Sequence, residues 1–463
     1  MYSPDTISAI STPLGKSGIG IVRLSGPEAI AITGELFRSP REVDLAEVKT
    51  HTLHYGFIYD PEKGRRVDEV LVSVMNAPST YTREDVVEIN CHGGVVPLRE
   101  TLELTHAHGA RPAEPGEFTR RAFLNGRITL DQAKSVKDLV DAKTQLSLEL
   151  AVERLEGRFS GFLSRVREEL TSILAEIEVA IDFPDYESSL TPHDELREKL
   201  VQLKGEIDDF LESSRDGKIL REGHRVAILG KPNVGKSTLL NRLLKEERAI
   251  VSPTPGTTRD TIEEEIEING IPLAVTDTAG IRQPENEIEE RGVARAKEQS
   301  KTSDLALFLV DVTENPESED QEISEELDHQ KSILLLNKSD LDGNLSRSEL
   351  VDKMGEDWAD VIAISAKTGT GMRELEDSIT RLIWGGKIEK DESLVLLDVQ
   401  EKDLLRKADE DLADALETID GGRPVDLVEV HLRDAREKLG RLMGEDVSDK
   451  ILDRIFADFC VGK

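Results

Sequence analysis

Residues 225–241 read RVAILGKPNVGKSTLLN. The apolar run Val226 to Leu229 meets Gly230, and Gly235, Lys236 and Ser237 then open the helix-like TLLNRLL. This is GxxxxGK[ST] set between a strand and a helix, the context in which backbone N–H groups wrap phosphates. Lys236 reaches the terminal phosphates and the Ser237 hydroxyl ligates Mg²⁺. Asn233, Val234, Gly235, Lys236, Ser237 and Thr238 are therefore candidate nucleotide contacts, and the middle third reads as an α/β phosphate-loop domain.

Three further stretches follow in order, each after an apolar run. LAVTDTAG brings Asp277, Thr278, Ala279 and Gly280 to the γ-phosphate and Mg²⁺ side. SILLLNKSD supplies Asn337, Lys338 and Asp340. A carboxylate at 340 accepts from the N1–H and exocyclic amine of guanine, whereas adenine offers an acceptor at N1, so GTP is selected over ATP. IAISAKTGTG places Ser365, Ala366 and Lys367 where backbone donors meet the guanine oxygen. Between these motifs lies VSPTPGTTRD, in which Thr258 reads as the switch residue that closes on Mg²⁺. Residues 222–384 together resemble the translation-factor-like branch of P-loop GTPases.

One position departs from Ras-like enzymes, where a glutamine after the DxxG glycine orients the attacking water. Here it is Ile281, which cannot. Two substitutes are on offer. The Asn233 side-chain oxygen is placed to hold a monovalent cation beside the phosphates, and the acidic NEIEERGVARAKE run supplies Glu287, Glu289 and Glu290 as water-positioning groups.

The chain of 463 residues suits two to four domains. It has no signal-like start and no long apolar run, which reads as a cytoplasmic protein. Cys91 and Cys460 are its two cysteines, too few for a disulfide framework or a zinc set. The net charge of −34 argues against non-specific attraction to nucleic acid, DNA or RNA, or to anionic membrane, so an RNA partner would need a local basic patch.

The flanks are of two kinds. Over 146–182, apolar residues from Leu148 to Ile181 recur at spacings of three and four, which predicts one helix of about 50 Å. Leu405 to Ile419 and Val428 to Leu442 form two more stripes, so the expected arrangement is a helical bundle with the GTPase inserted in it. Before residue 122, DTISAIST, GIGIVRLSG, HTLHYGFIY, VDEVLVSVM and DVVEINCHGG alternate like strands, with helical patterns near 27–37 and 95–108. An α+β domain results. ARPAEPGEFTRRAFLNGRITL then reads as a polar connector whose Arg111, Arg120, Arg121 and Arg127 make a local basic patch. The expected boundaries are 1–122, 123–221, 222–384 and 385–463.

GIGIVRLSG and PGEFTRRAFLNGR in the head, KPNVGKSTLLN and PGTTRD in the GTPase, and the tail FCVGK together resemble the MnmE (TrmE) family along the whole chain. The resemblance implies a GTPase of tRNA wobble-uridine modification: a homodimer, assembling into a heterotetramer with FAD-dependent MnmG, that installs aminomethyl-type groups at C5 of U34 in tRNA. It implies a tetrahydrofolate derivative (5-formyl- or 5,10-methylene-type) contacted by Arg23, Glu88, Arg127 and Lys463; relatives often carry Lys at 127. It also implies that Asn233 and the loop Ser252, Pro253, Thr254, Pro255, Gly256, Thr257 and Thr258 border the nucleotide. Asn233, Ser252, Thr254 and Thr257 would hold K⁺, and Glu289 would orient the water. Cys460 is a weaker candidate, a thiol beside a one-carbon donor. A ribosome-assembly GTPase shares the GTPase motifs and is the alternative reading, although the tail has no KH-type GxxG loop.

Overall fold

A computed structural model describes residues 5–182, 193–216, 219, 223–246, 263–277, 299–343, 346–384, 395–445 and 447–463. The chain divides into two compact units, one of residues 1–137, 154–204 and 404–463, the other of residues 138–153 and 205–403. No described helix is long and apolar enough to cross a membrane.

In the first unit, strands β1 (Ile7–Ile10), β2 (Ile19–Ser25), β3 (Phe37–Arg38), β4 (Thr52–Asp60), β5 (Arg65–Met75), β6 (Val86–His92) and β7 (Arg111–Pro112) form one sheet ordered β3-β4-β5-β6-β2-β1-β7. All neighbours are antiparallel except β1 and β7. Its period-two residues Val22, Leu24, Val70, Val72, Val74, Val87 and Ile89 are buried with Ile32 and Leu36 of α1 (Ala29–Leu36) and Leu98 of α2 (Val95–Ala107). The alternation thus sends Arg23 and Glu88, directly paired across β2 and β6, to the opposite face.

The connector is not a polar loop. Glu117–Leu124 forms helix α3, whose Phe118 is fully buried against Ile7 and Ala9. Three of the four arginines of its basic patch are engaged by carboxylates, while Arg127 lies over the Tyr81 ring. Arg121, 1% exposed, pairs with Asp5 (2.6 Å), Glu84 (3.1 Å) and Glu117 (3.0 Å). Arg111 pairs with Asp5 and Glu117, and Arg120 with Asp453.

The long helix also differs from expectation. It breaks at Gly157, φ +96°, into α5 (Gln145–Leu155) and α6 (Arg158–Asp182), and a separate helix α4 (Leu130–Asp141) precedes the expected span. Leu148 and Ile181 are exposed, whereas Phe159, Leu163, Val166, Leu170, Ile173 and Ile177 are buried. α5 up to Glu153 belongs to the second unit, as does the Lys143 that precedes it: Leu150 joins the GTPase core and Lys143 reaches Glu265 at 2.7 Å.

Helix α7 (His193–Ser213) and strand β8 (Ser214–Asp216) lead into the second unit. There β9 (His224–Leu229), α8 (Lys236–Glu246), β10 (Glu263–Ile268), β11 (Ile271–Asp277), β12 (Leu305–Asp311), α9 (Ser318–Glu325), β13 (Ser332–Asn337), α10 (Arg347–Met354), β14 (Asp360–Ala363) and α11 (Met372–Trp384) make an α/β domain. The sheet order is β10-β11-β9-β12-β13-β14, parallel except for the β10–β11 hairpin. Both faces are covered, as the continuous apolar runs of β12 and β13 require. β15 (Val395–Leu397) pairs with β8.

The chain closes with α12 (Val399–Asp420), α13 (Val425–Met443) and α14 (Asp449–Ala457). α6 packs on α13, whose Val428, Leu432, Ala435 and Leu439 are fully buried, and Arg167–Glu445 and Arg433–Glu178 tie their flanks at 2.6 Å. Leu452 and Phe456 of α14 pack with Phe459 against Leu130 and Ala133, which carries the tail back to the head.

Candidate functional site

In an open parallel sheet, ligands bind beyond the carboxyl ends of the strands where the order reverses. That place is the end of β9, from which the phosphate loop departs. Gly230 (φ +139°) leaves no room for a side chain, since a Cβ would stand 2.5 Å from the Leu309 carbonyl oxygen. Gly235 (φ +109°) is equally constrained, its Cβ position 2.3 Å from Asn337 Nδ2. Asn233 is left-handed (φ +65°), and Asn233, Ser237 and Thr238 are all exposed. Lys236 folds over the loop, donating to the carbonyls of Gly230 (2.5 Å) and Lys231 (2.6 Å). An anion in the loop offers that ammonium a stronger, charge-assisted partner.

The base-reading candidates meet at the same end of the sheet. Asn337 Nδ2 donates to the Val234 carbonyl (2.6 Å), while its Oδ1 accepts from Ala366 N–H (3.0 Å). One buried amide thereby ties the phosphate loop to the SAK loop. Ser365 Oγ donates to Asp340 Oδ1 (2.6 Å), which fixes the orientation of the candidate base-reading carboxylate. Lys338, left-handed at φ +64°, pairs with Asp311 at the end of β12. Burial alone would raise the Asp311 pKa, but Lys338 and Thr313 hold it below the usual carboxylate value. Lys367 is exposed. Asp277 ends β11; its side chain, together with Ser252, Pro253, Thr254, Pro255, Gly256, Thr257, Thr258, Thr278, Ala279, Gly280 and Glu289, lies outside the described residues.

A second constellation forms in the first unit. Arg23 Nε donates to Glu88 Oε1 (2.9 Å), and its Nη1 donates to the Gly462 carbonyl (3.1 Å), which also accepts from Ser11 Oγ (3.0 Å). The Arg23 guanidinium lies 5.6 Å from the Phe118 ring. Tyr81, whose phenol is raised by burial, donates to or accepts from Thr119 Oγ1 at 2.9 Å, and Arg127 lies 4.9 Å over its ring. Cys460 is exposed, its carbonyl accepting from Gly116 N–H (3.3 Å), and Lys463 is half-buried. Cys91 faces the core, where burial pushes its thiol up to about 12 and makes it inert.

Two profiles match this chain: the N-terminus of GTP-binding protein TrmE over residues 6–127 and the MnmE helical domain over residues 130–460. The tRNA modification GTPase MnmE of Geobacillus thermodenitrificans is 46% identical over 463 residues, covering 99% of each chain. The chain belongs to the MnmE family of tRNA modification GTPases. The MnmE of Bacillus pumilus is 44% identical over 460 residues. Among solved structures, the G domain of T. maritima FeoB aligns with 34% of this chain and 98% of its own at 27% identity, with a TM-score of 0.26.

In this MnmE-family GTP hydrolase, two residues act in ways that their sequence context does not announce. Arg121 is a buried hub rather than part of a connector; the amphipathic spacing of Phe118 and Ala122 is the signal that marks its helix. Gly462 matters through its carbonyl, and no side-chain pattern announces that.

Proposed function

We propose that GTP hydrolysis in the second unit drives a modification at C5 of the wobble uridine U34 of tRNA, carried out by a homodimer joined to the FAD-dependent MnmG in a heterotetramer. The convergence of phosphate loop, NKSD and SAK segments through Asn337, in a chain of this family, carries the reading. The exposed Leu53, Tyr55, Leu71 and Ile19 on the sheet face opposite α1 and α2 favour a self-association surface.

The donor chemistry fits the metals. Ser237, exposed in the first turn of α8, and Thr258 hold Mg²⁺, with Asp277 reaching it through water. Asn233, Ser252, Thr254 and Thr257 hold K⁺, whose charge offsets that developing on the phosphates, and Glu289 orients the water in place of the missing glutamine. Ser365, Ala366 and Lys367, with Asp340, read guanine.

A tetrahydrofolate derivative supplies the one-carbon unit. Glu88, held by Arg23 and only partly exposed, provides an acceptor for pterin N–H groups, while Arg127 and Lys463 supply cations for anionic parts of the cofactor. Deleting Lys463 is expected to weaken folate binding and leave GTP turnover nearly intact. Hydrolysis measured in KCl and in NaCl tests the GTPase mechanism: fast turnover requires K⁺, and equal rates in the two salts would remove the cation from it.

A further inference from the structure

Helix α8 begins at the phosphate-loop lysine and carries, six residues on, Arg242. The Arg242 side chain reaches the opposite end of the nucleotide site. Its Nε donates to the Ala366 carbonyl and its Nη2 to the Lys367 carbonyl, each at 2.6 Å. The helix span between Lys236 and Arg242 is about 9 Å at 1.5 Å per residue, which separates a phosphate grip from a base-reading loop on one rigid element.

The two carbonyls belong to a short relay. Because a peptide unit is planar, fixing the Lys367 carbonyl also fixes the N–H of Thr368. That N–H donates to Ser365 Oγ at 3.1 Å, and Ser365 Oγ in turn donates to Asp340 Oδ1 at 2.6 Å. Fixing the Ala366 carbonyl likewise aims the Lys367 N–H away from Arg242. On its other side the loop is held by Asn337, which accepts from Ala366 N–H at 3.0 Å.

We propose that Arg242 is a positioning residue for guanine recognition: it braces the SAK loop through two carbonyls, so that Asp340 and the loop's N–H groups are aligned before the base arrives. It touches neither the phosphates nor the reacting atoms. Arginine suits the task because its planar fork donates in two fixed directions, which a lysine ammonium does not.

The test uses full-length protein with Arg242→Met and Arg242→Lys, measuring binding of GDP and of inorganic tripolyphosphate, which has no base. Loss of two charge-assisted hydrogen bonds at a half-exposed site is expected to weaken GDP binding about tenfold in the methionine variant and less in the lysine variant. Tripolyphosphate affinity, kcat at saturating GTP and the melting temperature without nucleotide should stay at wild-type values. Unchanged GDP affinity in Arg242→Met would overturn the proposal. So would an equal loss for GDP and tripolyphosphate, which would mean that the phosphate loop or the fold had been disturbed instead.

Discussion

Substituting Gly462 by alanine isolates the docking of the tail on the head. Gly462 sits at φ +95°, and a Cβ there would lie 2.4 Å from the Ile10 carbonyl oxygen and 2.9 Å from Ser11 Cα. Both are backbone atoms of or beside β1, so neither can swing aside. A left-handed alanine costs about 1–2 kcal/mol and the overlap roughly 1–3 more. Against that, the last residues are held by Arg23 and Ser11 on the Gly462 carbonyl and by Gly116 on the Cys460 carbonyl. At about 1 kcal/mol net each, these total roughly 3 kcal/mol. The strain matches the grip, so docking should weaken by at least ~2 kcal/mol, about 30-fold. Hydrogen exchange read at the Gly116 and Lys463 amides, both of which donate to the Cys460 carbonyl, should show lost protection. The rest of β1 and GTP turnover should remain as in the wild type, because Phe456 and Phe459 anchor the chain upstream. Wild-type protection of those amides in Gly462→Ala would refute the reasoning.

Arg121→Met removes a buried guanidinium from Asp5, Glu84 and Glu117 at once, leaving Arg111 as the arginine partner of Glu117, and is expected to lower unfolding stability by about 3 kcal/mol, measured by urea denaturation. Asp5 and Glu117 give the same network a pH signature. Burial works to raise their pKa values, but Arg111 and Arg121 hold both below the ordinary carboxylate range. Their contribution is therefore complete above the unfolded pKa of about 4 and lost as pH falls through the lower folded values. Urea midpoints should drop more steeply with acid in the wild type than in Arg121→Met. Asn337→Ala removes the bridge between Val234 and Ala366, and GTP affinity should fall at least tenfold by equilibrium binding.

Much of this was legible in the sequence because it rests on local spacing. Alternation in VDEVLVSVM and DVVEINCHGG gives β5 and β6, and the phosphate loop, NKSD and SAK segments each follow their strand. The misreadings arise where spacing and contact separate. Leu155 and Phe159 are four apart, so the apolar period runs straight through Gly157 and hides the break there. EFTRRAFL looks like a polar loop because the partners of Arg121, Asp5 and Glu84, lie 116 and 37 residues away. Charge read along the chain gave a patch; in the fold Arg111 and Arg121 share one carboxylate network, Arg120 pairs with Asp453, and Arg127 lies over Tyr81. The tail shows the converse: FCVGK drew attention to its cysteine and lysine, while the Gly462 carbonyl holds Arg23.

GTP hydrolysis by this chain is proposed to drive wobble-uridine modification. Nucleoside mass spectrometry of tRNA decides it, using cells that lack the protein and the same cells supplied with the wild type or with Lys236→Ala. C5-modified wobble uridines should disappear without the protein, return with the wild type and stay absent with Lys236→Ala. Unchanged wobble uridines in the cells lacking the protein, or full restoration by Lys236→Ala, would contradict it.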